Sequence, residues 1–219
     1  MTVRTDAHPE ALALTGGYAG FGGIYQDTRM VTAAGGLWDQ VIQAHKSTAQ
    51  SAVPTMIGEI AFHGLADQGK DLDRVVTTVF AKERSVAAVL EAIRSGHAYA
   101  VAEGDHQVML TLDEFSLGCD CDPAIVGIGE HLALPSGSHA VATVRLSARD
   151  GKPHPVTLRL IRSGEIVGMT KAETPVQYQL ADAQPVPDGG TYYRLEVVGQ
   201  SGELLTNPVY VDVQTKERG

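Results

Sequence analysis

The sequence predicts an α/β segment over residues 1–103, followed by a small all-β, immunoglobulin-like sandwich over residues 104–219. Three observations carry this reading. Up to Gly104, helical periods alternate with short apolar runs. Residues 54–102 run strand, strand, helix, strand, an order that predicts parallel strands in a barrel or open sheet. Beyond Gly104 only two-faced strand patterns and turn residues follow.

The first stretch, Gly16 to Gly36, holds seven of the chain's 24 glycines, so it is expected to be a loop or irregular surface. It matches neither phosphate-cradling glycine pattern. In "GLWDQVIQAHK", Leu37, Trp38, Val41 and Ile42 fall at helical spacing, which predicts a short amphipathic helix with Trp38 in the core. "VPTMIGEIAF" reads as a strand opened by Pro54, and "RVVTTVFA", Arg74 to Ala81, as a second strand rich in β-branched residues. "SVAAVLEAIRSG" predicts a helix with Ser85 as N-cap and Gly96 beyond its C-terminus. Val86, Val89, Leu90 and Ile93 form one apolar face, expected to be buried with Leu90 and Ile93 at its centre. "HAYAVA", His97 to Ala102, closes the segment as a strand.

In the second half, Val144, Leu146 and Ala148 alternate with Thr143, Arg145 and Ser147. Leu158 and Leu160 alternate with Thr157, Arg159 and Ile161, and "SGE" turns the chain into "IVGM". Tyr193, Leu195 and Val197 alternate with Arg194 and Glu196, and Val209, Val211 and Val213 with Tyr210 and Asp212. Short strands of this kind, separated by Gly, Pro and Asp, predict the sandwich.

Hydrophobic residues make up 43% of the chain and charged ones 20%, enough apolar material for a sizeable core. The net charge of −9 argues against a nucleic-acid backbone or an anionic membrane as the main partner. No apolar run is long enough to span a bilayer, and "MTVRTDAHPEAL" has no apolar core of a signal peptide. The chain as written is expected to be soluble and cytoplasmic; a signal upstream of a fragment would escape this reading.

Chemistry is sought in the first half, because the second shows no tight cluster of His, Cys, Asp and Glu and no nucleophile signature. Cys119 and Cys121, in "GCDCDP", are the only cysteines, and the i, i+2 spacing predicts a loop with two free thiols. Two thiolates alone do not complete a zinc site. His63 stands where an apolar run meets a loop, the position at which α/β folds gather catalytic residues. On a strand, residues i and i+2 share a face about 6.6 Å apart, so an Asp-x-His pair can reach one ion. Here that partner position is Ala61, which has no ligand atom. Glu59 shares the face but lies about 13 Å away along an extended strand. Asp67, Asp71 and Asp73 follow in a loop expected to be solvated, and His8 precedes the glycine-rich stretch, where it could face the same cavity. The metal candidate is therefore His63, with Glu59, His8 and Asp67 as helpers; no catalytic residue is assigned.

Three stretches resemble the C-terminal part of a metal-dependent hydrolase of the polymerase-and-histidinol-phosphatase (PHP) superfamily that carries a β-sandwich after its barrel. "GGLWDQVIQAH…PTMIGEIAFHG" resembles the family's last helix–strand unit, which ends in Gly-Ser-Asp-x-His. "DRVVTTVFAKERSVAAVLEAIRSGHAYAV" resembles the strand, helix and strand that follow, and "VTLRLIRSGEIV…TYYRLEVVGQSGELLTNPVYV" the appended sandwich. The resemblance implies a divalent-metal phosphoesterase whose site also needs an early His-x-His and further His and Glu ligands. This chain has no His-x-His, and Ala61 stands where the family has aspartate. The expectation is thus a degenerate or truncated PHP-like chain, inactive alone and without tightly bound metal. The alternative is a non-catalytic binding protein using the sandwich. A complete barrel needs about 200 residues or more, so the short α/β segment also predicts a partner, either a second copy or a missing barrel portion.

Overall fold

The structure, a computed structural model, describes residues 18–25, 31–48, 53–60, 72–104 and 108–214. The chain is mostly β. Helices α1 (Leu37–Thr48) and α2 (Val86–Arg94) accompany strands β1 (Gly20–Tyr25), β2 (Thr55–Glu59), β3 (Val75–Val79), β4 (Ala98–Glu103), β5 (Leu110–Cys119), β6 (Asp122–Gly127), β7 (His131–Pro135), β8 (Val141–Ala148), β9 (Pro155–Arg162), β10 (Glu165–Glu173), β11 (Val176–Ala181), β12 (Thr191–Gly199), β13 (Gly202–Thr206) and β14 (Val209–Gln214).

The strands form two large sheets. One has four strands in the antiparallel order β11-β8-β5-β6. The other has eight, with the path β10-β9-β12-β13-β4-β3 and with β14 and β7 branching from β12. β13 and β14 follow one another along the same side of β12, both antiparallel to it, with a bend at Asn207–Pro208. Beyond the bend β13 pairs with β4 and β14 with β7. Between the two sheets lies the main core, with Leu112, Phe115, Leu117, Val144 and Leu146 on one side and Leu158, Leu160, Leu195, Val197 and Val211 on the other. Each such side chain contributes about 1.5–3 kcal/mol on leaving water.

A second core covers the opposite face of the eight-stranded sheet. Ala100, Ala102, Tyr192 and Leu205 of the sheet meet Ile24, Trp38, Ile42 and Met56 of β1, α1 and β2. Central strands are thus buried on both faces. This is why Arg194 and Glu196, on the polar side of the alternation, are buried rather than solvated, and Ile161 with them.

The α/β expectation is corrected in three respects. First, β1 lies inside the glycine-rich stretch expected to be a loop. Its glycines serve close approach: a Cβ on Gly20 would meet the Thr55 carbonyl oxygen at 2.6 Å, and one on Gly23 the Met56 Cγ at 2.1 Å. Second, of the strands read between 54 and 102, only β2 has a parallel partner, β1, while β3 and β4 pair antiparallel. β2 meets the large sheet through side chains that imitate a ladder. Asn207 accepts from Met56 N and donates to Met56 O and Ala98 O. Thr77 Oγ1 accepts from Gly58 N and donates to Gly58 O. No barrel closes among the described residues.

Third, the apolar face of α2 is not buried. Ser85 caps the helix, accepting from Ala88 N at 3.1 Å, and Gly96 has φ 72° beyond its end, as expected. Yet Val86 is 77% and Leu90 44% exposed, Ile93 is half-buried, and Ala92 is the one fully buried residue of the helix. The register explains it. Val75 pairs with Ala102 and Val79 with Ala98, and Phe80 N bonds His97 O, so α2 interrupts a hairpin instead of crossing a sheet face. Strands β5–β7, β11 and β13 add to those that the sequence alternation predicts.

Candidate functional site

Of the metal candidates, His8, His63 and Asp67 lie outside the described residues, as do Ala61 and Asp71. Glu59 is the last residue of β2, exposed, with its side chain folded over Gly22, whose added Cβ would lie 2.6 Å from the carboxyl carbon. Among the described residues no three His, Cys, Asp or Glu side chains group closely enough to hold a metal ion.

A cleft of about 690 Å³ opens at the other end of β2, between α1, α2 and the sandwich. His45, Arg94, His131, Tyr210 and Asp212 bring its side-chain chemistry. His131 Nδ1 lies 2.8 Å from Asp212 Oδ2, and its ring stacks on Tyr210 at 4.8 Å. A carboxylate on Nδ1 fixes the tautomer in which Nε2 is the basic nitrogen. The parallel β7–β14 register creates the arrangement, setting His131 opposite Tyr210 and two residues from Asp212. The wall also depends on Gly129, at φ 82°, where a Cβ would strike the His97 ring at 2.2 Å. A carboxylate-held imidazole in a cleft that an arginine also lines can move a proton or hold an anion. The sequence hides this pair, because His131 and Asp212 are 81 residues apart.

The second half also holds a chain of Ser, His and Asp that sequence reading missed. Ser201 Oγ lies 2.8 Å from His154 Nδ1, and His154 Nε2 lies 3.0 Å from both Asp150 oxygens. The backbone N–H of Lys152 is the largest influence holding the Asp150 carboxyl below its usual range, followed in the same direction by His154. The order is that of a hydrolase triad, but Ser201 is 1% exposed, and a nucleophile must meet its substrate. Both protonation states of His154 keep both bonds. The neutral ring donates to Asp150 and accepts from Ser201, and the cation donates to both. The array ties the β8–β9 loop to the β12–β13 turn.

The thiol expectation is overturned. Cys119 and Cys121 form a disulfide, with Cα atoms 5.2 Å apart, and no described cysteine is free. The tight turn after β5 brings the two Cα atoms into bonding range, which an extended i, i+2 spacing would not.

The most buried charges join the two cores' elements. Asp39 of α1 takes Arg194 Nε at 2.8 Å and Nη2 at 2.7 Å, and accepts from Tyr192 OH at 2.8 Å. Burial, then the Asp39 charge, pushes the Tyr192 phenol far above its usual range. Arg194 lies 5.2 Å over the Trp38 ring, placing Trp38 in the core as expected. This group is sealed and has no room for a substrate.

No family model matches the chain, and no curated protein matches it.

Proposed function

We propose that the chain corresponds to the C-terminal portion of a PHP-like metal-dependent hydrolase, the end of its βα barrel followed by an immunoglobulin-like sandwich, and that alone it does not hydrolyse phosphoesters. The observation that carries this reading is the β1–α1–β2 unit, two parallel strands joined through a helix in a chain that otherwise pairs mostly antiparallel. Such units are what βα barrels are built from. Glu59 ends β2, and the strand's carboxyl end leads toward His63, the side on which α/β enzymes gather their ligands. His63, with Glu59, His8 and Asp67 as helpers, would hold a divalent ion, which when bound supplies an activated water. Ala61 removes one ligand from that set, which supports inactivity. The apolar residues exposed on α2 support association with a second copy, covering a helix face that a complete barrel would bury against its neighbours.

The test is elemental analysis of the purified chain, with hydrolysis of p-nitrophenyl phosphate in added manganese or zinc. The expected result is substoichiometric metal and no turnover. Stoichiometric metal with turnover, both lost in His63→Ala, would overturn the claim of inactivity.

The His131–Asp212 pair favours a second reading, a non-catalytic binding protein working through the cleft. The two readings use opposite ends of β2. Inorganic phosphate titrated into the chain and followed by histidine NMR signals would move His63 under the first and His131 under the second.

A further inference from the structure

The Cys119–Cys121 bond has a setting that points to chemistry rather than to stability. Cys119 is the last residue of β5 and pairs with Asp122, the first of β6, while Asp120 and Cys121 make the turn. The bond therefore closes a ring spanning residues only two apart in sequence. Cross-linking so short a loop removes little freedom from the unfolded chain. The hairpin does not need it. Ser116 pairs with Gly127 and Leu117 with Val126, Leu117 is fully buried in the main core, and Asp122 Oδ1 accepts from Ala124 N at 2.8 Å. β6 is an edge strand, and at the tip Cys121 Sγ meets Ser138 Oγ, in the segment before β8, at 3.4 Å. Cys121 is exposed and Cys119 half-buried.

We propose that the Cys119–Cys121 pair is a site of reversible thiol–disulfide exchange with a dithiol, in the cell the dithiol of a partner protein. A thiolate of the dithiol attacks Sγ of Cys121, the more exposed of the two residues. The new S–S bond forms there, and the Cys119–Cys121 bond breaks with its electron pair left on Cys119 Sγ, which takes a proton from water. The second thiolate of the dithiol attacks its own sulfur in the mixed disulfide. It closes the dithiol's disulfide and releases Cys121 as a thiolate, which is protonated in turn. The chain gains two electrons and two protons, and the dithiol loses them.

The preference for a dithiol follows from the ring. After attack by a monothiol, the Cys119 thiolate sits two residues from the mixed disulfide and expels the monothiol at high effective concentration. Only a reductant with its own tethered second thiol competes with that return step. Asp120 and Asp122 flank the tip, so an anionic monothiol is further disfavoured and a dithiol rimmed by cations is favoured.

The experiment uses the folded 219-residue chain, air-oxidised, in buffer without denaturant. It is treated with dithiothreitol or with 2-mercaptoethanol at equal total thiol, quenched by alkylation and weighed intact. The expected result is two alkyl groups per chain, gained about tenfold faster with dithiothreitol, for which the tethered second thiol accounts. The circular dichroism spectrum should be unchanged, and oxidised dithiothreitol should restore the disulfide. Cys121→Ser should keep the spectrum and consume no dithiol. Three results would overturn the proposal: a pair that resists dithiothreitol until denaturant is added, equal rates with the two reagents, or loss of the folded spectrum on reduction.

Discussion

Replacing Asp39 by Asn tests what fastens α1 to the eight-stranded sheet. The substitution keeps size and shape but exchanges Oδ2 for an amide that donates. Oδ2 accepts from Arg194 Nη2 at 2.7 Å and from Gly35 N at 2.9 Å, so donor would face donor at both contacts. Arg194 is 0% and Asp39 1% exposed at the side chain, and Arg194 Nη1 already has no hydrogen-bond partner among the described residues. The variant therefore leaves a buried guanidinium without its counter-charge, a loss worth about 3–5 kcal/mol. Against a total stability of about 5–15 kcal/mol, that is a large share. At a urea slope of about 2 kcal/mol per molar, the midpoint should fall by about 2 M. Trp38 is the chain's one tryptophan and lies under Arg194, so its fluorescence reports the site while far-UV circular dichroism reports the sheets. Both signals should move together in one transition. Should Asp39→Asn not fold at all, Tyr192→Phe removes a hydrogen bond to the same carboxylate and should cost about 1.5–3 kcal/mol. Losses below about 1 kcal/mol in both variants would refute the reasoning. So would a fluorescence transition well ahead of the dichroism one, because α1 would then leave the sheet on its own.

Leu90→Ala should change stability by less than about 0.5 kcal/mol, whereas Leu158→Ala in the main core should cost about 2–5 kcal/mol; urea unfolding of both separates the two environments. If α2 covers a second copy, sedimentation equilibrium should show a dimer that Leu90→Ala loosens, and a monomer at micromolar concentration would dismiss that association. Tyr192, Tyr193 and Tyr210 have phenols raised above the ordinary 10.0, in each case chiefly by burial. A raised folded value means that their stabilisation is intact below pH 10.0 and is lost as pH climbs toward the folded values. Melting temperature should therefore fall steeply above that pH, and titration of phenolate absorbance should find these three ionising only as the chain unfolds.

Much of the fold was legible where a strand has one wet face. β8 alternates because Arg145 and its neighbours meet solvent while Val144 and Leu146 meet the core. β12 shows the limit of that rule. Its polar residues read as an outer face, yet Arg194 is buried because α1 brings a carboxylate to it from 155 residues away. Nothing local in "TYYRLEVVG" announces a partner so distant. α2 shows the opposite failure. Its periodicity, cap and C-terminal glycine are local and were all readable, but burial of its face depends on whether the neighbouring strands run parallel or form a hairpin. Periodicity encodes which residues share a face, not what lies opposite it.

The site was hidden for a related reason. A metal motif on one strand is local, so the mismatch at Ala61 is visible in the sequence; the groups that the structure does assemble are not local. His131 meets Asp212 only because β7 lies parallel to β14, and Ser201 meets His154 only because the β12–β13 turn reaches the loop before β9. The disulfide is the instructive exception, since its two residues are two apart. Spacing alone argued against the bond, because it took an extended chain as its geometry. A turn folds the same spacing back on itself, and what decides is the place in the hairpin where β5 ends. The apolar residues Leu110 and Leu112 and, past a bulge, Phe115 and Leu117 carry the strand to Cys119 and leave Asp120 and Cys121 as its turn. The register of β5 on β6 is thus the missing step between the cysteine spacing and the bond: it holds Cys119 against the rim of the main core and puts Cys121 in the exposed turn.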